Sequence, residues 1–500
     1  MRSKLAVHQF LALLLCFLLI ANLTGCGERN VPPPTVPLAP VVFEPLQESI
    51  TKSYDELFGI APKLEFTKAQ IDRMREFQDQ SKKHCSSNFE NRARDYEKQM
   101  DTAQSELRRR TRDLGDAERK ELHCEIQSLR LKKNRAETLA KQAIPVAYDN
   151  RLAKLDLIEF WPAELQQIRQ EIKDGTHLNR PFGDVKDIGF REVGKGQEDD
   201  IKIGQDAVRE MKQAGMLPPE LEDENVKNYV TELTERIARK SDLRVPAKVT
   251  VLNSREVNAF ALPGGFLYIQ RGLLESVEDE SQLAGVIAHE ISHASARHGH
   301  RLMRKATIAS IIYQTAQIAA LVLTGGVAGI GTYYALQYGF YGLGLVLSLD
   351  LLGVSRDFEL EADQLGVQYA WNAGFDPAGF TRFFDKMATR EGYVNGASWF
   401  RTHPPFYKRM VHTQREIMFL PKKDNLVIQS TAFERMKFAL KNVTAKAHED
   451  EKKRPSLLKP EEDCPPVDMK EYKPGESIES LCPIPSAPAA SSKAGKSDSK

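Results

Sequence analysis

The segment His289-Glu290-Ile291-Ser292-His293 is where this 500-residue chain concentrates its chemistry. Histidines four apart on a helix sit about one turn from each other, so both imidazoles project from one face and can share a metal ion. Imidazole is a good ligand for zinc, which brings no redox chemistry of its own. Glu290 lies beside the first histidine but is rotated off the His–His axis, where its carboxylate can take a proton from water at an open coordination position. The flank Leu283-Ala284-Gly285-Val286-Ile287-Ala288 is apolar, as a buried helix requires. Five residues are a short pattern, and a site of this kind wants a third protein ligand.

The acidic stretch Glu359-Leu360-Glu361-Ala362-Asp363 offers one. Glu359 and Asp363 are four apart and share a helical face, so Glu359 can bind the metal while Asp363 supports a ligand histidine from behind. Glu361 then points elsewhere. The competing reading is a solvated acidic face, the usual meaning of such a run. His298 and His300 extend the motif helix; His298 falls roughly opposite the ligand face and reads as structural.

These side chains need a scaffold. Lys248-Val249-Thr250-Val251-Leu252 and Phe266-Leu267-Tyr268-Ile269 read as strands, with Pro263-Gly264-Gly265 as a turn before the second. Ile201–Met211 and Val226–Ile237 carry apolar residues at helical spacing. The capping-box form of Ser276-Val277-Glu278-Asp279 predicts the start of the motif helix. The expected fold is α+β and mostly helical: a small β-sheet beside the HExxH helix, preceded by a coiled-coil-like helical arm. The expected order is a proline-rich linker over 26–64, the charged arm over 65–142 with breaks at Ser86-Ser87-Asn88 and Leu114-Gly115-Asp116, and a connector over 143–196. A catalytic domain over 197–420, a terminal helix over 421–447 and a largely disordered tail over 448–500 follow. The arm reads equally as a partner-binding surface and as a solvated spacer. The uncharged stretch 306–349 is expected to form a buried or lid-like helical pair rather than two membrane spans, because glycines and glutamines interrupt it.

The ordered set His289-Glu290-x-x-His293, Glu359-Leu360-Glu361-Ala362-Asp363 and Thr402-His403-Pro404-Pro405 resembles the HtpX/BepA-type metallopeptidases, gluzincins related to the CAAX prenyl proteases. Asn258-Ala259-Phe260-Ala261-Leu262-Pro263-Gly264-Gly265 and Gly272-Leu273-Leu274 resemble the same family. The resemblance implies one zinc ion held by His289, His293 and Glu359, with Glu290 as general base and Asp363 in support. It implies an edge strand at Asn258, Ala259 and Phe260 that pairs with extended substrate by β-augmentation. His403 would lie near the metal, as an oxyanion stabiliser or as an occupant of the open position in a latent state, and Arg409 would make a structural ion pair. The implied activity is zinc-dependent endoproteolysis. No 34-residue repeat like that of some family members is visible.

Arg2 and Lys4, the apolar run Phe10 to Ile20 and small residues after it form a secretory signal over 1–25. Leu23-Thr24-Gly25-Cys26 resembles a bacterial lipobox, which implies cleavage before Cys26 and a lipid anchor on its thiol; Gly27 after it points to the outer membrane. In that compartment the partners would be unfolded or misassembled envelope proteins and outer-membrane assembly machinery, with a non-proteolytic chaperone as the rival role. Four further cysteines suit disulfides. Cys464 with Cys482 closes a short loop and is the expected pair, leaving Cys85 with Cys124. A net charge of +1, with no basic patch, gives no case for nucleic acid.

Overall fold

The computed structural model describes residues 44–110, 113–213, 217–303, 349–388 and 407–453, with His403, Cys464 and Cys482. The signal, Cys26, most of the proline-rich linker, the stretch 306–348 and most of the tail lie outside them. The fold is mostly helical, with one three-stranded sheet. Among the described residues no helix is long and apolar enough to cross a membrane.

Two short helices, α1 (Glu44–Ser49) and α2 (Tyr54–Ile60), precede α3 (Lys68–Arg109). Helix α3 opens on a reciprocal cap: Thr67 Oγ1 accepts the Gln70 N–H, and Gln70 Oε1 accepts the Thr67 N–H. It runs unbroken for 42 residues. The expected break at Ser86-Ser87-Asn88 is absent, because Cys85 and Phe89 on either side are buried in a cluster with Ala136, Leu139 and Tyr148. Packing overrides the weak helix propensity of serine and asparagine. The second expected break is present: α3 gives way at Arg110, and α4 (Asp116–Thr138) starts after Gly115, whose N–H meets the Glu118 carboxylate at 3.2 Å. An ion pair between Lys133 and Glu97 holds the two as a hairpin.

The region read as a connector is largely helix. A short π-helical segment, Leu139–Ala143, passes directly into α5 (Ile144–Asp174), which ends at left-handed Gly175. Pro145 falls in the first turn of α5, where its fixed φ suits the helix. Pro162 lies inside, at a cost of about 3 kcal/mol. Burial of Leu155, Leu157, Ile158, Trp161, Leu165 and Ile168 in the main core outweighs it, each large apolar side chain contributing roughly 1.5–3 kcal/mol. The base of the arm is fastened to the rest of the fold by a buried pair, Lys154 Nζ to Asp385 Oδ1 at 2.8 Å. Asp385 also accepts the Tyr54 N–H and the Asn150 amide, both at 3.2 Å.

The cysteines pair differently from expectation: Cys85 with Cys482 and Cys124 with Cys464. Loop length favoured Cys464 with Cys482, but geometry decides. Native packing brings the observed partners to Cα separations of 5.8 and 5.3 Å, within the range a disulfide can span.

Helices α6 (Asp200–Gln213) and α7 (Glu224–Ala238) lead into β1 (Lys248–Leu252), β2 (Ala259–Leu262) and β3 (Phe266–Gln270). The order is β1-β3-β2, with β1 parallel and β2 antiparallel to β3, so β2 is an edge. Gly264 and Gly265 make the β2–β3 turn at φ 80° and 83°, a region in which only glycine is unstrained. Val251, Ala259, Leu267 and Ile269 face the main core; Leu252, Phe260, Tyr268 and Phe266 pack on the other side.

Helix α8 (Arg271–Ser276) intervenes before the motif helix. Ser276 therefore ends one helix rather than capping the next: its Oγ bonds the Gly272 carbonyl, and the cap of α9 (Glu280–Ser295) is Asp279, which accepts the Gln282 N–H at 3.0 Å. Helix α9 is buried almost all round. A short helix, α10 (His298–Met303), follows it, and α11 (Leu349–Asn372) and α12 (Gly379–Lys386) pack against it. Helices α13 (Tyr407–Phe419) and α14 (Thr431–Lys453) complete the domain; α14 begins and ends several residues later than the expected terminal helix.

Candidate metal centre

One turn of α9 separates His289 and His293, and their Nε2 atoms come within 3.0 Å of each other. Helix α11 adds Glu359, whose Oε1 is 3.4 Å from His293 Nε2 and whose Oε2 is 3.5 Å from His289 Nε2. His403, just before α13, brings Nδ1 to 2.9 Å from Glu359 Oε2 and 3.2 Å from His289 Nε2. One ligand atom from each of the four lies within 4.8 Å of all the others. Close contact of α9 and α11 makes this possible: a Cβ on Gly366 would come within 3.1 Å of the His289 backbone.

Two imidazoles, a third imidazole and a carboxylate match the donor set of a zinc site. Their orientation fits too. His289 turns Nδ1 toward Asp363 Oδ1, 3.0 Å away, which leaves Nε2 bare toward the centre. Arg409 on α13 forks onto Asp363 and places a third nitrogen 3.1 Å from Glu359 Oε2. His289, Glu359, Asp363, His403 and Arg409 are buried, and His293 is partly exposed.

Burial opposes the charge on Glu359, but His403 and Arg409 hold its carboxyl well below the usual range. Asp363 is likewise held low, against burial, chiefly by Arg409. Burial also opposes a charged His289, yet Asp363 and Glu359 raise it to about 9. His293 goes the other way, pushed well down by burial. Glu290 is pushed up by burial, and its Oε1 has no hydrogen-bond partner among the described residues; His403 Nε2 lies 3.4 Å from it.

Strand β2 runs beside this centre. Asn258 O accepts the Gln270 N–H, so the backbones of positions 258, 260 and 262 turn inward to β3, and those of 259 and 261 face the open edge. The Ala261 N–H reaches the Glu290 carboxylate. Phe260 stacks on Tyr268 at 4.9 Å. Of the expected trio, Ala259 thus presents its backbone at the edge and Phe260 does not; Ala261 was missed, although strand alternation carries the signal. Asn258 precedes the strand, fully buried, with Oδ1 bonded to the Ala259 N–H.

One further residue was misread. His298 is not opposite the ligands but meets His293, Nδ1 to Nδ1, at 2.8 Å. Glu361 approaches His298 Nε2 at 3.2 Å. The straight-helix extrapolation failed because α9 stops at Ser295 and Arg297 adopts φ 58°, folding α10 back.

The profile of peptidase family M48 matches residues 224–417. The "Beta-barrel assembly-enhancing protease" of Yersinia pestis is 29% identical over 215 residues, 41% of this chain and 41% of that one. Its counterpart in Escherichia coli (strain K12) is 27% identical over 205 residues, 40% and 39% of the two chains. "Mitochondrial metalloendopeptidase OMA1" of Schizosaccharomyces pombe is 31% identical over 185 residues, 36% of this chain and 50% of the relative. The chain thus spans about two fifths to a half of the length of these relatives. Both ligand helices, the edge strand and His403 fall within the one stretch that this profile matches, so residues 224–417 resemble a metallopeptidase domain of family M48.

Proposed function

We propose that the chain is a zinc-dependent metalloendopeptidase of the bacterial cell envelope, cutting unfolded or misassembled envelope proteins. The observation that carries this is the convergence of His289 Nε2, His293 Nε2 and the Glu359 carboxylate beside the buried Glu290 Oε1, which makes no hydrogen bond among the described residues. His289, His293 and Glu359 would hold the ion. Bound zinc supplies Lewis acidity and makes water more acidic at neutral pH. Glu290 takes the proton from water at Oε1 and delivers it to the leaving amine; its raised pKa suits a group that must both accept and return a proton. The outer edge of β2 offers the carbonyls of Ala259 and Ala261 to extended backbone, their N–H groups being bonded to Asn258 Oδ1 and the Glu290 carboxylate, and backbone pairing favours unfolded clients over a fixed sequence.

His403 Nδ1 sits among the ligand atoms, which favours the latent reading: it fills the fourth position and must swing away before substrate enters. A lipid anchor on Cys26 would place the domain at the envelope, with the outer membrane as the proposed site. The names of the bacterial relatives, which refer to β-barrel assembly, support a client among outer-membrane proteins.

The test joins zinc quantification to cleavage of a denatured protein, with and without chelator. Glu290→Gln should keep one zinc per chain and lose about 10²–10⁴-fold in cleavage. Cleavage at the wild-type rate would overturn the reading. Rescue of a deletion strain by Glu290→Gln would favour the chaperone instead.

A further inference from the structure

Asp363 aims His289, but nothing in the metal set aims His293. Its Nδ1 points away from the centre and lies 2.8 Å from Nδ1 of His298. His298 is 2% exposed and is fixed from several sides. Its ring stacks on Phe358, with centroids 4.4 Å apart and planes 7° from parallel. Its Nε2 lies 3.2 Å from Glu361 Oε2, short of full hydrogen-bond alignment but with a carboxylate as its facing group. Arg301 holds that oxygen at 2.9 Å and lies 4.1 Å above the Phe358 ring.

The donor inventory makes this chain of contacts run one way. An ionised carboxylate only accepts, so Glu361 selects the His298 tautomer with its proton on Nε2. His298 Nδ1 is then bare and accepts. His293 must supply the proton between the two Nδ1 atoms, which leaves its own Nε2 bare toward His289 and Glu359. We propose that His298 and Glu361 form a positioning pair that selects the metal-binding tautomer of His293, as Asp363 does for His289. All three carboxylates of the acidic stretch then serve one centre: Glu359 as ligand, Asp363 behind one histidine, and Glu361 behind the other through His298. The backward fold at Arg297 is what lets Glu361, about 200° around α11 from Glu359, reach the same site.

This inference rests on the metal reading above, and its test separates the two. Full-length chain with 15N-labelled histidine is stripped of metal, and the His293 ring is read by long-range 1H–15N correlation. Wild type should show the Nδ1–H tautomer. Glu361→Ala, at a partly exposed position, should give a mixture and weaken zinc binding about 10–100-fold in chelator competition. His298→Ala should do the same, and His298→Asn, whose Oδ1 can replace Nδ1 as acceptor, should restore both within a few-fold. An Nε2–H tautomer in wild type would overturn the proposal. So would unchanged tautomer and affinity in Glu361→Ala, whatever its thermal stability. A chain that binds no zinc but keeps the His293 tautomer sinks only the metal reading.

Discussion

Arg409 grips Asp363 with two parallel contacts of 2.7 Å, Nε to Oδ2 and Nη2 to Oδ1, although 46 residues separate them. Neither needs to touch the metal. Together they fix the carboxylate that orients His289. Lysine keeps the charge but cannot reproduce the fork. Arg409→Lys should therefore leave a folded domain that binds zinc about 10–100-fold more weakly, measured by chelator competition.

The pH behaviour of the metal-free domain follows from His289. Its pKa rises from an ordinary 6.5 to about 9 on folding. A raised pKa means that the folded state holds the proton more tightly. The stabilisation is fully present below about 6.5 and is lost as pH climbs through about 9. Denaturant midpoints of chelator-treated protein should fall over that window. His289→Gln should flatten the fall.

His403 among the ligand atoms predicts a gain on removal. His403→Ala should raise cleavage of a denatured substrate several-fold while zinc content is kept. A drop of about 10²-fold would instead make it the oxyanion donor.

The buried Lys154–Asp385 pair joins the arm to the rest of the fold. Lys154→Ala leaves Asp385 buried and uncompensated, which costs about 3–5 kcal/mol. Chemical denaturation should show that loss. The zinc content of the folded fraction should not change.

The legible parts of the molecule were those whose signals are local. Both predicted strands lie on their short apolar runs, the second directly after Pro263-Gly264-Gly265, and the histidine spacing carried directly into geometry because α9 is regular. Long-range effects were not legible. The stretch 143–196 read as a connector, and the packing around Trp161 that makes Ile144–Asp174 a helix despite Pro162 has no local signal. His298 was lost to a single left-handed residue, Arg297, which no helical wheel anticipates. The cysteine partners depended on which segments lie side by side, and spacing along the chain is silent on that.

Those two disulfides also change what unfolding means here. Cys85 and Cys482 are 397 residues apart in sequence, Cys124 and Cys464 are 340 apart, and the whole stretch that the M48 profile matches lies between the inner pair. The peptidase is therefore strung inside a covalent ring that closes on the helical arm. Such closure of a chain this long removes about 5–6 kcal/mol of entropy from the denatured ensemble in the loop-closure picture. A single cut anywhere in the ring opens it without releasing either fragment. Only reduction and cutting together would let the pieces part, so an oxidised, nicked molecule keeps its mass.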